Sequence, residues 1–228
     1  MNSLSKEKSA ILLAAGNSRR MKALTNSIPK SMLKVCGRRI IDFHLDNLYR
    51  LNFSQIIVVL GYLPDSLRNY IGESYRGISI NYAFNKDFAI TGHSYSFFLG
   101  AKLLEPKASE VFLIHADGLF SQEIYLNLDN SKWKNIIPFD SNFKIKTNDE
   151  VIVIQDKGFI KSIEKVGKSK TYKGGELLGI HKFSKNFINQ FFNFLSTQKD
   201  ESWKKFNYEP LLNQFLQNNN ININAFDI

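Results

Sequence analysis

Residues Ala10 to Met32 read AILLAAGNSRRMKALTNSIPKSM, and the rest of the chain is organised around this stretch. Ile11 to Ala15 is an apolar run long enough for a buried strand and too short for a membrane span. It breaks at Gly16 into a polar loop carrying Arg19 and Arg20, which closes on Pro29-Lys30. A buried strand that delivers the chain into a glycine-containing, cation-bearing loop suits a phosphate chain. Backbone N–H groups can point at anionic oxygens there, while Arg and Lys supply charge. No Gly-Lys-Ser/Thr follows the glycine, so this is not a Walker P-loop.

Composition narrows the class. A chain of 228 residues with 43% hydrophobic and 22% charged side chains has the make-up of a globular protein with one sizeable core, read here as a single domain over 1–228. Thirty Lys+Arg against 21 Asp+Glu give a net charge of +9, which suits a polyanionic partner. A nucleoside triphosphate is one such partner and nucleic acid another. The basic residues are scattered rather than gathered with aromatics as a nucleic-acid platform requires, so nucleic acid is the less favoured. Cys36 is the single cysteine, which excludes an internal disulfide, and no Cys/His spacing suggests zinc. The apolar run after MNSLSKEKS is too short for a good signal peptide, so the expectation is cytoplasmic with no membrane partner.

Taken in order, strand-like and helix-like patterns alternate, which predicts an α/β fold with a mostly parallel Rossmann-like sheet flanked by helices. Arg39 to Leu51 places Ile41, His44, Leu45 and Leu48 at helical spacing, with His44 read as a core residue. Gln55 to Leu60 is a β-branched strand, Pro64 to Ile71 a short helix stopped by Gly72, and Ile78, Ile80 and Tyr82 alternate as a half-buried strand. Val111 to Ile114 is a further buried strand with Asp117 just beyond its carboxyl end, where ligands collect in open α/β sheets. Asp117 either holds a cation or caps the helix suggested by Ser121-Gln122-Glu123. His115 points to the same side and is given no role. Val151 to Ile163 reads as a small antiparallel hairpin insert. Ser184 caps a helix whose Phe187, Ile188, Phe191, Phe192 and Leu195 form a stripe suited to the core or to a homodimer contact. Tyr208 to Leu216 reads as a last helix, and Ile221 to Phe226 as a terminal strand.

Leu13-Ala14-Ala15-Gly16-Asn17-Ser18-Arg19-Arg20-Met21, then Leu24-Thr25, then Pro29-Lys30-Ser31-Met32, resembles the opening motif of the nucleotidyltransferases, L-A-A-G-x-G-x-R followed by L-T-x-x-x-P-K-x-L. The nine positions from Arg20 to Pro29 resemble the sugar-1-phosphate and choline-phosphate branches rather than the cytidylyltransferases of isoprenoid synthesis. Ser18 stands where the family usually has its second glycine.

The resemblance implies the nucleotide-diphospho-sugar transferase fold and a set of site residues. Leu13 through Ser18 would hold a triphosphate, with Arg20 on its outer phosphates and Lys30 at the α-phosphate. Thr91-Gly92-His93-Ser94 lies at the family's base and ribose loop, and from its pattern opens a helix with Thr91 or Ser94 as N-cap. Asp117 matches the aspartate that holds Mg²⁺, whose preference for hard oxygen fits a carboxylate. Lys165 matches the lysine facing the transferring phosphate, although a solvated charge is the plainer reading in so lysine-rich a chain. Glu176, in a Gly-Glu-x-x-Gly-Ile segment, would face the acceptor. Relatives carry a second metal-binding aspartate near the end; Asp227 supplies it here or the ligand is missing. The reaction implied is transfer of a nucleoside monophosphate, from CTP in the first instance, to a small phosphorylated acceptor such as phosphocholine. Tyr95, Tyr172 and Phe88 would wall a choline cage. A sugar 1-phosphate with UTP or dTTP, and a silent nucleotide binder on the same fold, are the alternatives.

Overall fold

Strands such as Gln55–Leu60 have no polar face, and a strand of that kind needs cover on both sides. The computed structural model, which describes residues 7–16, 27–144, 150–165, 174–198, 200–219 and 221–228, supplies it. In chain order the strands are β1 (Glu7–Ala14), the ribbon β2 (Lys34–Val35) and β3 (Arg38–Arg39), β4 (Gln55–Leu60), β5 (Ser74–Tyr75), β6 (Ile78–Phe84), β7 (Ala108–His115), β8 (Ile136–Asp140), β9 (Val151–Asp156), β10 (Phe159–Lys165), β11 (Gly174–Leu177), β12 (Ile180–Ser184) and β13 (Asn224–Asp227). The α-helices are α1 (Ile40–Arg50), α2 (Pro64–Ile71), α3 (His93–Ala101), α4 (Gln122–Asn130), α5 (Lys185–Ser196) and α6 (Tyr208–Asn219).

Among the described residues eleven strands form one sheet in the order β11-β9-β10-β13-β8-β12-β7-β1-β4-β6-β5. β6, β4, β1 and β7 run parallel. From β1 the chain moves outward to β4 and β6, then returns through α3 to β7 on the other side of β1. Strand order therefore reverses between β1 and β7, and a crevice opens beyond their carboxyl ends.

Side-chain alternation splits the core into two layers. Ile11, Ile57, Val59 and Leu113 meet α3, α5 and α6 through Phe97, Phe191 and Phe215. Ala10, Leu12, Ile56, Val58 and Phe112 meet α1, α2 and α4 through Leu45, Leu67 and Leu128. The aromatic stripe of α5 lies wholly in the first layer, which selects core over a dimer contact. His44 is likewise buried, with Nδ1 2.6 Å from the Tyr125 hydroxyl.

Two expectations need correction. Antiparallel pairing extends well beyond a hairpin: β12 runs antiparallel to both β7 and β8, and β11 pairs with β8 as well as β9. Pro138 inside β8 hides that strand from a propensity reading. The N-cap of α3 is Gly92, with no side-chain cap. Ser94 instead donates to the Trp203 and Phe206 carbonyls, and Thr91 to the Asp87 carbonyl. Gly92 is required by contact: its N–H donates to the Lys204 carbonyl at 2.8 Å, and a Cβ would stand 2.0 Å from the Phe206 oxygen.

Burial pulls the imidazole pKa down to about 4 in His44 and to about 3 in His181, so both rings are neutral in the folded chain. Unfolded imidazole titrates near the ordinary 6.5. The stabilisation is therefore complete above that pH and is lost as pH falls from there toward the folded values, at a slope approaching about 1.4 kcal/mol per pH unit per histidine. Urea unfolding between pH 7.5 and 5 should show this loss, and His44→Gln should flatten it by one proton; a level wild-type profile would contradict the buried neutral rings.

Candidate active site

The crevice is built from strand ends. Leu13 on β1 stands beside His115 on β7, and the Ala116 N–H donates to the Leu13 carbonyl at 3.1 Å. Beyond β1 the chain passes through Ala15 and Gly16; beyond β7 it reaches Asp117 within two residues. Lys30 comes to the same place on a 3₁₀ turn, Lys30–Met32, set by Pro29 and closed by the Met32 N–H donating to the Pro29 carbonyl at 2.9 Å. Its Nζ donates to Asp117 Oδ2 at 2.8 Å. Burial pushes the Asp117 carboxyl up, but the Lys30 hydrogen bond and charge outweigh it and hold the group below the usual carboxylate range.

Two cavities meet at this pair. The first, about 300 Å³, is lined by Leu13 through Gly16, by Lys30 and Ser31, by His93 and Ser96 of α3, and by His115 and Asp117. Ser31 Oγ is buried there with no hydrogen-bond partner among the described residues. The second, about 480 Å³, lies on the other side and includes Phe120, Asp140, Glu176 and Gly179. Lys30, His115 and Asp117 line both. Two ligands could thus meet across one cation and one carboxylate.

Leu13, Ala14, Ala15, Gly16, Lys30, His93 and Asp117 are brought together as expected. The alternative for Asp117 drops out, because Ser121 caps α4 by accepting from the Ile124 N–H. Glu176 lines the second cavity. Other residues are placed elsewhere. Thr91, Gly92 and Ser94 serve the packing described above and line neither cavity. Tyr95 turns away to a separate hollow beside Trp203 and Lys204, and Phe88 lies against Tyr62. Lys165 is exposed at the end of β10, outside both linings. Asp227 accepts from the Ser141 N–H at 3.0 Å and lines neither cavity. Asn17, Ser18, Arg20 and Tyr172 lie outside the described residues.

Sequence reasoning gave His115 no role, and it missed Ser31, Ser96, Asp140 and Tyr208. His115 Nε2 and His181 Nε2 both lie 2.8 Å from the Tyr208 hydroxyl. Burial, then the neighbouring His93 charge, pulls the His115 pKa to about 3, so its ring is neutral. Gly179 makes room for that ring: a Cβ there would come within 2.9 Å of His115 Cβ. The Gly-Ile pair after Glu176 was the available signal for this contact, whereas Tyr208 looked like any apolar helix residue. Tyr208→Phe leaves two buried ring nitrogens without their partner and should cost about 1–3 kcal/mol in urea unfolding; a loss below about 0.5 kcal/mol would show that the hydroxyl is not holding the rings.

Residues 10–129 match the family described as the MobA-like NTP transferase domain. The chain is 27% identical over 223 residues to the CTP:phosphoglutamine cytidylyltransferase of Campylobacter jejuni subsp. jejuni, covering 91% of this chain and 86% of that protein. It is 27% identical over 212 residues to the 2-aminoethylphosphonate cytidylyltransferase of Lancefieldella rimae, covering 93% and 80%. The solved inositol-1-phosphate CTP transferase from T. maritima superposes with a TM-score of 0.77 at 19% identity, covering 97% of this chain and 85% of that one, a likeness of fold. No helix among the described residues is long and apolar enough to cross a membrane.

Proposed function

Because the chain belongs to the MobA-like NTP transferase domain family, and is thereby a nucleotidyltransferase, we propose that it moves a cytidylyl group from CTP onto a small acceptor bearing a phosphate or phosphonate, with release of pyrophosphate. The observation that carries the reading is the sharing of Lys30 and Asp117 by two cavities. The nucleotide takes the first, against the backbone of Ala15 and Gly16, and the acceptor the second. The cytidylyltransferase names of two relatives that align along most of the chain support CTP. Carboxylates Asp140 and Glu176 on the acceptor side favour a molecule whose body carries an ammonium group.

In this reading an acceptor oxygen attacks the α-phosphorus, the new P–O bond forms, and the bond to the pyrophosphate oxygen breaks. The attacking group is already an anion near neutral pH, so no general base is needed. The protein's task is alignment and neutralisation of charge. Lys30 faces the α-phosphate, where negative charge grows in the transition state. A phosphate oxygen replaces Asp117 as its partner and leaves that carboxylate for a cation. Asp117, a hard-oxygen donor whose side chain is 45% exposed at the strand end, fits magnesium, which would neutralise phosphate oxygens.

Lys30→Ala and Asp117→Ala should each reduce pyrophosphate release by at least about a hundredfold. Both should melt close to the parent, because a part-exposed ion pair is worth about 1 kcal/mol or less. The assay pairs each of CTP, UTP, GTP, ATP and dTTP with a panel of aminoalkyl phosphates, aminoalkyl phosphonates and sugar 1-phosphates. Full turnover in either variant removes these residues from the reaction, and turnover confined to UTP or dTTP with sugar 1-phosphates replaces the cytidylyl reading.

A further inference from the structure

Three of the chain's four histidines gather round one tyrosine. His93, His115 and His181 have ring centroids 6.4, 5.7 and 5.8 Å from that of Tyr208. They arrive from the first residue of α3, the last residue of β7 and the second residue of β12. Glu209 follows Tyr208 in the first turn of α6. One ring nitrogen from each of His93 and His115 and one carboxylate oxygen of Glu209 lie within 4.8 Å of one another. We propose that His93, His115 and Glu209 form a binding site for a borderline divalent transition ion of the zinc or cobalt class, separate from the hard-cation position at Asp117.

The Glu209 carboxylate gives the first reason. It is only 5% exposed, and no described side chain donates a hydrogen bond to it. Its own backbone N–H and the neighbouring His93 offset only part of the cost of burying that charge. A bound cation removes that penalty.

The donor set gives the second reason. Two imidazoles and one carboxylate are the ligands of open three-residue zinc sites, whereas magnesium prefers hard oxygens throughout. His115 is also anchored as ligating histidines are. Its Nε2 meets the Tyr208 hydroxyl at 2.8 Å, and ligation through Nδ1 leaves that contact in place. Tetrahedral ligands at about 2.0–2.1 Å from zinc stand roughly 3.3 Å apart, so no pair of the three groups need close by more than about 1.5 Å. His93 is exposed, which gives it room to make that movement.

Such an ion sits at the wall of the first cavity, because His93 and His115 both line it, and it narrows the space there. The inference does not depend on which reaction the chain performs.

The test uses the full chain with Cys36→Ser as background, which removes the one thiol, and Co²⁺ as probe. One Co²⁺ per chain should bind with the visible absorption of a four-coordinate site, and Zn²⁺ should displace it. Glu209→Gln and His93→Asn should each weaken binding by at least about tenfold, while Asp117→Asn should leave it unchanged. His93 is exposed, so its replacement decides the matter even if Glu209→Gln fails to fold. Absence of a stoichiometric absorbing complex, or binding lost in Asp117→Asn and kept in His93→Asn, overturns the proposal.

Discussion

The parallel pairing of β1 with β7 is the constraint on which the rest depends. Backbone hydrogen bonds fix Leu13 opposite His115, and the order of the strands places the two strand ends where it reverses. Ala15 and Gly16 beyond β1, and His115 and Asp117 at and just beyond the end of β7, line one cavity there. Lys30 and Asp117 meet across it. The two depend on each other: a lysine lacking its carboxylate leaves a bare charge in the crevice, and the carboxylate lacking its lysine loses the hydrogen bond and charge that do most to hold its pKa down.

Asymmetry between the two cavities follows from the same geometry. The first takes much of its lining from backbone and small side chains, which suits a polyphosphate read through N–H groups. The second is bordered by side chains from strands that belong to the antiparallel half, including Asp140 on β8 and Glu176 on β11. The parallel half can therefore stay constant in chemistry while the antiparallel half sets what is recognised beside it.

Much of this was legible in the residues. Apolar runs without a polar face, such as Gln55–Leu60, could only be doubly covered strands, and Pro64 and Gly72 bracketed α2 correctly. Lys30 and Asp117 were readable because each follows a structural signal, a proline in one case and the end of an apolar strand in the other. What could not be read depends on contacts far apart in sequence. Tyr95 has the composition of a cage residue, yet helical rotation carries it to Trp203. Asp227 lines neither cavity, and its Oδ1 accepts from the Ser141 backbone N–H. β8 contains a proline and escaped notice because its neighbours, not its propensity, make it a strand. His115, His181 and Tyr208 are individually unremarkable, and only the fold shows that they share a hydroxyl.

The close approach of Gly92 to the Lys204–Phe206 backbone governs when the crevice acquires its wall. The His93 N–H reaches the Asn207 side chain 114 positions later, and Ser94 is tied to Phe206 across nearly the same interval. Closing so long a loop is entropically slow, and it must precede any reward from the contact. During synthesis the strand ends and Lys30 emerge early, but the face bearing His93 stays unbraced until the last fifth of the chain has docked. Enclosure of the site is thus a late, non-local event, even though the groups lining the first cavity are all encoded by residue 117.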